Sequence, residues 1–82
     1  MATVAPIGKV IINHSQFQAK VDTDYMGMRY KFSGPPRGDD EQQAHQDLFY
    51  IRAAAEGSPT RVQGLQAMQA AAKLLRAGGV FA

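Results

Sequence analysis

The chain has 82 residues, a formal net charge of +2 and no cysteine. This length makes one small domain with a net stability of about 4–12 kcal/mol on the usual per-residue scale. The lack of cysteine excludes disulfide bonds and thiolate metal ligands. No stretch approaches the roughly 20 apolar residues that a membrane-spanning helix needs, so we expect a soluble intracellular protein with no membrane partner.

The charged residues are segregated along the sequence. Residues 1–38 carry a net charge of +3, residues 39–57 carry −4, and residues 58–82 carry +3. A cationic first segment favours contact between that part of the chain and a polyanion.

The first part of the chain is predicted to be a flexible arm at 1–8 followed by a three-stranded antiparallel meander at 9–33. A short run of β-branched residues indicates the first strand, over about 9–14. Strict alternation of polar and apolar residues indicates the second and third strands, over 16–23 and 27–33. Between these two strands an Asp-Tyr-Met-Gly stretch favours a reversing turn.

The alternation predicts a sheet with two different faces, because successive side chains of a strand point to opposite sides. One face is apolar and needs a cover, whereas the other is polar and basic. The apolar side chains are Phe17, Ala19, Val21, Met28, Tyr30 and Phe32.

A Gly-Pro-Pro-Arg-Gly segment at 34–38 is predicted to end the sheet, because proline has no N–H for the ladder. Asp39 is the predicted N-cap of a helix over 39–56, with a capping-box glutamine three residues later. An apolar stripe on this helix is the expected cover of the sheet, and Phe49 and Tyr50 are expected to widen the contact. The stripe consists of Ala44, Leu48, Ile51 and Ala55.

Ser58 and Pro59 are the predicted cap and first residue of a second amphipathic helix over 59–77, with an apolar tail at 78–82. Its apolar stripe has two interpretations: packed on the first helix it completes the core, and left open it docks onto another protein. The candidate partner interface is Val62, Leu65, Met68 and Leu75. The elements together predict one α+β domain, a three-stranded antiparallel meander packed on one helix with the second helix beside it.

The order of three strands and an acidic-capped, alanine-rich helix resembles the AP2/ERF-type DNA-binding domains and the related integrase amino-terminal domains. Residues 17–21 are similar to the second strand of that family, residues 28–32 to the third, and residues 40–44 to the acidic start of the helix. The resemblance covers about residues 9–57. It implies a three-stranded sheet that packs on one helix and places its exposed face in the major groove of DNA.

The resemblance implies a module that contacts duplex DNA through the polar-basic sheet face. In the major groove arginine pairs with guanine and glutamine or asparagine with adenine, while lysines hold phosphates. The candidate residues are Lys9, Asn13, Gln18, Lys20, Arg29 and Lys31. DNA binding in turn predicts a nuclear location. Two other interpretations of this face are a solvated sheet surface and a docking surface for an acidic protein.

No catalytic, cofactor or metal site is predicted. His14 and His45 lack the spacing of zinc ligands. Ser15 follows His14 at a strand end, where neighbouring side chains point to opposite faces and do not form a nucleophile and base. The alternative to a DNA-binding module is therefore not an enzyme but an accessory subunit of a larger assembly, which docks through its amphipathic helices.

Overall fold

The computed structural model describes residues 7–78, which form a three-stranded antiparallel sheet followed by two helices. The strands lie side by side in chain order, and the predicted α+β fold is confirmed. The described part contains no helix long and apolar enough to cross a membrane. Most of the predicted arm and of the predicted tail lies outside the described residues, but Ile7 and Gly8 of the predicted arm belong to the first strand. The elements are β1 (Ile7–Asn13), β2 (Gln16–Tyr25), β3 (Met28–Ser33), α1 (Glu41–Glu56) and α2 (Arg61–Arg76).

Both hairpin turns contain only two residues, and all four of these residues have a left-handed backbone. The φ angles are 53° at His14, 63° at Ser15, 54° at Met26 and 78° at Gly27. Such turns match the twist of the flanking strands. Because the second turn needs two residues rather than four, β2 continues to Tyr25, beyond the predicted end of that strand. The first strand ends at Asn13, one residue before its predicted end, since His14 belongs to the turn.

The register of the strands defines an inner and an outer face of the sheet. Ala19 lies opposite Val10, and Val21 lies opposite Phe32. Side chains that are directly opposite share a face, so the inner face is mainly apolar in all three strands. Ile11 of β1, opposite Gln18, lies instead on the outer face. Ala19 and Val21 are fully buried on the inner face. Both helices pack on this face: α1 contacts β1 and β2, and α2 contacts α1 and β3.

Helix α1 begins at Glu41, two residues later than predicted, and its N-cap is Asp40 rather than Asp39. The Asp40 carboxylate accepts a hydrogen bond of 3.1 Å from the Gln43 backbone N–H. Asp39 is part of the preceding turn, where its carbonyl accepts from the Glu41 N–H at 3.2 Å. The helix turns Phe49 away from the sheet, with 74% of its surface exposed, so this ring does not widen the contact as predicted.

Helix α2 begins at Arg61, two residues later than predicted, because Thr60 rather than Ser58 is its N-cap. The Thr60 hydroxyl caps α2 by accepting from the Gln63 N–H at 3.2 Å. Ser58, the predicted cap, instead donates its hydroxyl to the Ala54 carbonyl at the end of α1, at 3.1 Å.

The core lies between the inner face and the two helices. Its buried members come from β2, α1 and α2, and partly buried apolar side chains surround them. Helix α1 approaches β1 so closely that a Cβ at Gly8 would lie 2.5 Å from Leu48 Cδ1, and this contact explains a glycine inside a strand. The buried core members are Val21, Ile51, Met68, Ala71, Ala72 and Leu75.

The double-proline segment remains bonded to β2 instead of leaving the sheet. Gly34 donates its N–H to the Ala19 carbonyl at 3.0 Å, and Arg37 donates to the Phe17 carbonyl at 2.8 Å. The two prolines fall between these donors, so the ladder loses no bond that they would have made. The sheet hydrogen bonding therefore extends beyond the point at which the sequence predicts its end.

Candidate nucleic-acid interface

The outer face of the sheet carries all six candidate nucleic-acid residues, because the register places each of them on the same side of its strand. Within the described part of the chain both helices pack on the inner face, which leaves the outer face open. Four of the candidates are exposed and the other two, Gln18 and Lys20, are half-buried. The exposed candidates are Lys9, Asn13, Arg29 and Lys31.

Two lysines lie side by side on this face. Lys9 of β1 is directly opposite Lys20 of β2, and like charges in this arrangement repel. Lys31 of β3 lies one row away, opposite Asp22. None of the three ammonium groups forms an ion pair with another described residue. An anion bound across the strands would relieve the repulsion.

Unlike the three lysines, Arg29 forms an ion pair, with Asp24. Its Nε donates to Asp24 Oδ1 at 3.0 Å, and its Nη2 donates to Oδ2 at 3.4 Å. The hydrogen bond from Arg29 lowers the pKa of Asp24, and the same bond raises the pKa of Arg29. The guanidinium predicted to pair with guanine thus already holds a carboxylate. Both side chains are exposed, so little free energy is needed to separate them.

The amide side chains of the outer face are also engaged. Gln18 donates its Nε2 to the Gly34 carbonyl at 2.9 Å, and Asn13 donates its Nδ2 to Gln18 Oε1 at 3.3 Å. This chain of amides ties the end of β1 to the segment after β3. One N–H of Gln18 Nε2 and one lone pair of Oε1 remain for contact with a base.

Two arginines of α2 reach the β2–β3 hairpin, a contact that the sequence does not predict. Arg61 donates to the Asp24 carbonyl, and its guanidinium lies 5.6 Å from the centre of the Tyr25 ring. Arg76 donates its Nη1 to the Ser33 carbonyl at 2.8 Å. These bonds hold the two ends of α2 to the hairpin and bring two more cations beside it. The local signal is that Arg61 lies about 20° around α2 from the buried Met68, on the buried side of the helix.

The four residues of the candidate partner interface on α2 have different environments. Met68 and Leu75 are core residues with 2% of their surface exposed. Leu65 is half-buried against that core, whereas Val62 is exposed. In this fold the stripe therefore packs mainly inside the domain.

The histidines lie apart from any cluster of metal ligands. His14 is in the first turn, and His45 Nε2 lies 3.5 Å from the Glu41 carboxylate one turn earlier on α1. Among residues 7–78 no group of three His, Cys, Asp or Glu side chains has the geometry to hold a metal ion.

Comparisons of the chain with protein-family models, with curated proteins and with solved structures give no match. The AP2/ERF resemblance therefore stays a prediction that rests on the sequence pattern of residues 9–57. The geometry of the outer face is the basis for a functional proposal.

Proposed function

We propose that this chain is a non-catalytic, AP2-like module that binds duplex DNA through the outer face of its sheet. The main support is the direct opposition of Lys9 and Lys20 on an open face, with Lys31 one row away and no ion-pair partner for any of them among the described residues. Such a role implies a nuclear location.

The dimensions of the face suit a DNA groove. Three strands spaced by ~4.8 Å span about 10 Å between their outer backbones, whereas the major groove of B-DNA is about 12 Å wide. The three lysines are then within reach of phosphates on the groove walls. Phosphate contacts provide position and affinity, and base contacts provide specificity.

The proposal predicts a binding affinity that falls with salt and depends on the three lysines. Each phosphate contact contributes ~0.9 to the slope of log affinity against log salt, so three contacts give a slope of roughly −2.7. Fluorescence anisotropy with a labelled duplex at several salt concentrations measures this slope. Each of Lys9→Ala, Lys20→Ala and Lys31→Ala is expected to weaken binding and reduce the slope by about 0.9.

Lys73→Ala is the matched control, because Lys73 is exposed on α2 rather than on the sheet. It is expected to leave the slope unchanged. A salt-independent response, or an equal effect of the Lys73 substitution, would contradict binding through the outer face. Such a result would leave the accessory-subunit alternative.

Arg29 contributes to base contact only if it exchanges Asp24 for DNA. Asp24→Asn is therefore expected to strengthen binding in the wild-type background more than in an Arg29→Ala background. Equal gains in both backgrounds would show that only the removed negative charge matters and that Arg29 does not contact DNA.

A further inference from the structure

Strand β1 presents an open edge among the described residues, since it pairs only with β2. The pair that flanks the first two-residue turn, Asn13 and Gln16, is hydrogen-bonded, and hydrogen-bonded pairs alternate along an antiparallel ladder. The intervening residues of β1 therefore direct their N–H and C=O groups away from β2. These residues are Gly8, Val10 and Ile12.

Two exposed apolar side chains accompany this edge. Ile12 is on the inner face of β1 with 69% of its surface exposed, and Phe49 is the exposed ring of α1. Leu48 and Arg52 are the α1 side chains closest to Gly8. Phe49 lies ~60° around the helix from Arg52 and ~140° from the buried Ala44, so it points away from the sheet on the Arg52 side of α1. A long, β-branched open edge of this kind is a template for another strand.

We propose that a second copy of this chain pairs with this edge, β1 antiparallel to β1, around a two-fold axis at Val10. The product is a continuous six-stranded sheet. In this register Lys9 lies opposite Ile11 of the second copy, so the two lysines are not opposed. A register centred on Lys9 would place like charges directly opposite and is disfavoured.

The position of α1 is compatible with this pairing. With strands ~4.8 Å apart, the two-fold axis lies about 2.4 Å from β1 and about 7.2 Å from β2. Leu48 of α1 lies against Gly8 of β1, and Asp47 lies against Gly34, which bonds to β2 on the side away from β1. The helix axis therefore lies over β2, about 7 Å from the two-fold. The two α1 helices are then ~14 Å apart, farther than directly packed helices but within reach of long charged side chains. Sheet pairing thus brings the exposed flanks of α1 together without collision.

The charges on these flanks are complementary across the two-fold. Arg52 lies beside Gly8, and its Nε is buried with no hydrogen-bond partner among the described residues. Helix α1 starts shortly after Gly38, which bonds to Phe17, the cross-strand neighbour of Ile12.

The start of α1, with the exposed carboxylate of Glu41, therefore lies level with the Ile12 end of β1, on the far side of β2. Since Gly8 is opposite Ile12 of the second copy, each Arg52 faces the Glu41 end of the other α1. A second copy thus offers an acidic partner to the half-buried Arg52 guanidinium.

Sedimentation equilibrium of the full chain, without DNA, tests the proposal. The expected result is a species of twice the chain mass at ~100 µM, with dimerisation weakened at least about tenfold by Ile12→Lys. Met26→Lys is the matched control, because Met26 is 82% exposed at the other hairpin turn and should leave dimerisation unchanged. A monomeric wild type at ~1 mM, or equal dimerisation of all three proteins, overturns the proposal.

A disulfide test examines the register independently. The chain has no cysteine, so Val10→Cys introduces a single thiol. Hydrogen-bonded antiparallel partners have Cα atoms ~5.5 Å apart, within the range that a disulfide spans. Rapid oxidation of Val10→Cys to a covalent dimer supports the two-fold at Val10, and oxidation no faster than that of Met26→Cys overturns it. Circular dichroism confirms that each variant is folded, and neither test depends on DNA binding.

Discussion

Asp47 is fully buried on the sheet-facing side of α1, between Ala44 and Ile51. Arg37 donates to both of its oxygens, from Nε at 2.6 Å and from Nη2 at 2.8 Å, and Gln43 Nε2 adds a bond of 3.2 Å. The hydrogen bond to Asp47 raises the pKa of Arg37. A buried ion pair of this geometry offsets its desolvation only while both partners are present. The Arg37–Asp47 ion pair holds the double-proline segment against α1.

Removing one partner of this pair is expected to destabilise the fold strongly. Arg37→Ala leaves the Asp47 carboxylate buried and unpaired, and the free energy of unfolding is expected to fall by about 3–5 kcal/mol. Urea denaturation followed by circular dichroism measures the change. The double variant Arg37→Met with Asp47→Leu should lose less, because no charge is left unpaired. A double variant that is no more stable than Arg37→Ala would contradict this account.

The exposed pair of Asp24 and Arg29 predicts a different, pH-dependent effect. Hydrogen bonding from Arg29 holds the pKa of Asp24 below its ordinary value of 3.8. The stabilising contribution of the pair is therefore present above that value and is lost as the pH falls through the lowered pKa. Carboxyl-carbon NMR titration should show the pKa of Asp24 rising in Arg29→Ala. The control Lys31→Ala should leave it unchanged, and a rise in both variants would assign the shift to general charge.

At the scale of the elements, the first hairpin turn contains no glycine although both of its residues are left-handed. An L-residue in this conformation costs roughly 1–2 kcal/mol because of its Cβ. Glycine has no Cβ and avoids part of this cost. Ser15→Gly is expected to raise the free energy of unfolding by about 0.5–1 kcal/mol, measured by thermal denaturation. Gly27→Ala, at φ 78° in the second turn, is expected to lower it. The opposite sign for either variant would contradict the turn geometry.

The strands and helices could be predicted because each is determined largely by local patterns. The alternation of Phe17, Ala19 and Val21 orients a strand whatever its neighbours are. The cap of a helix is harder to predict from the sequence, since neighbouring residues often have the same capping chemistry. Asp39 and Asp40 both suit a helix start, and the turn at Gly38, with φ 62°, leaves Asp40 as the cap. Thr60 rather than Ser58 caps α2 for a similar reason, because Ser58 bonds back to α1.

At the scale of the whole molecule, the sheet separates the charged segments. The outer face holds the lysines of the meander, whereas the acidic segment, residues 39–57, forms mainly α1 and lies behind the inner face. A polyanion that approaches this molecule is attracted to the outer face and repelled by the acidic residues of α1. The proposed pairing of β1 would place two such faces side by side in one sheet.

Local sequence patterns determined the order of the elements, the two faces of the sheet and the position of the lysines on one of them, because side-chain direction follows the period of each element. Only the tertiary structure decided that Asp47 is buried in an ion pair with Arg37, that Arg29 is paired with Asp24, and that Arg76 bonds to Ser33. The Arg37–Asp47 and Arg76–Ser33 contacts join residues 10 and 43 positions apart. Such pairings depend on how the helices lie on the sheet, and no local period encodes that arrangement.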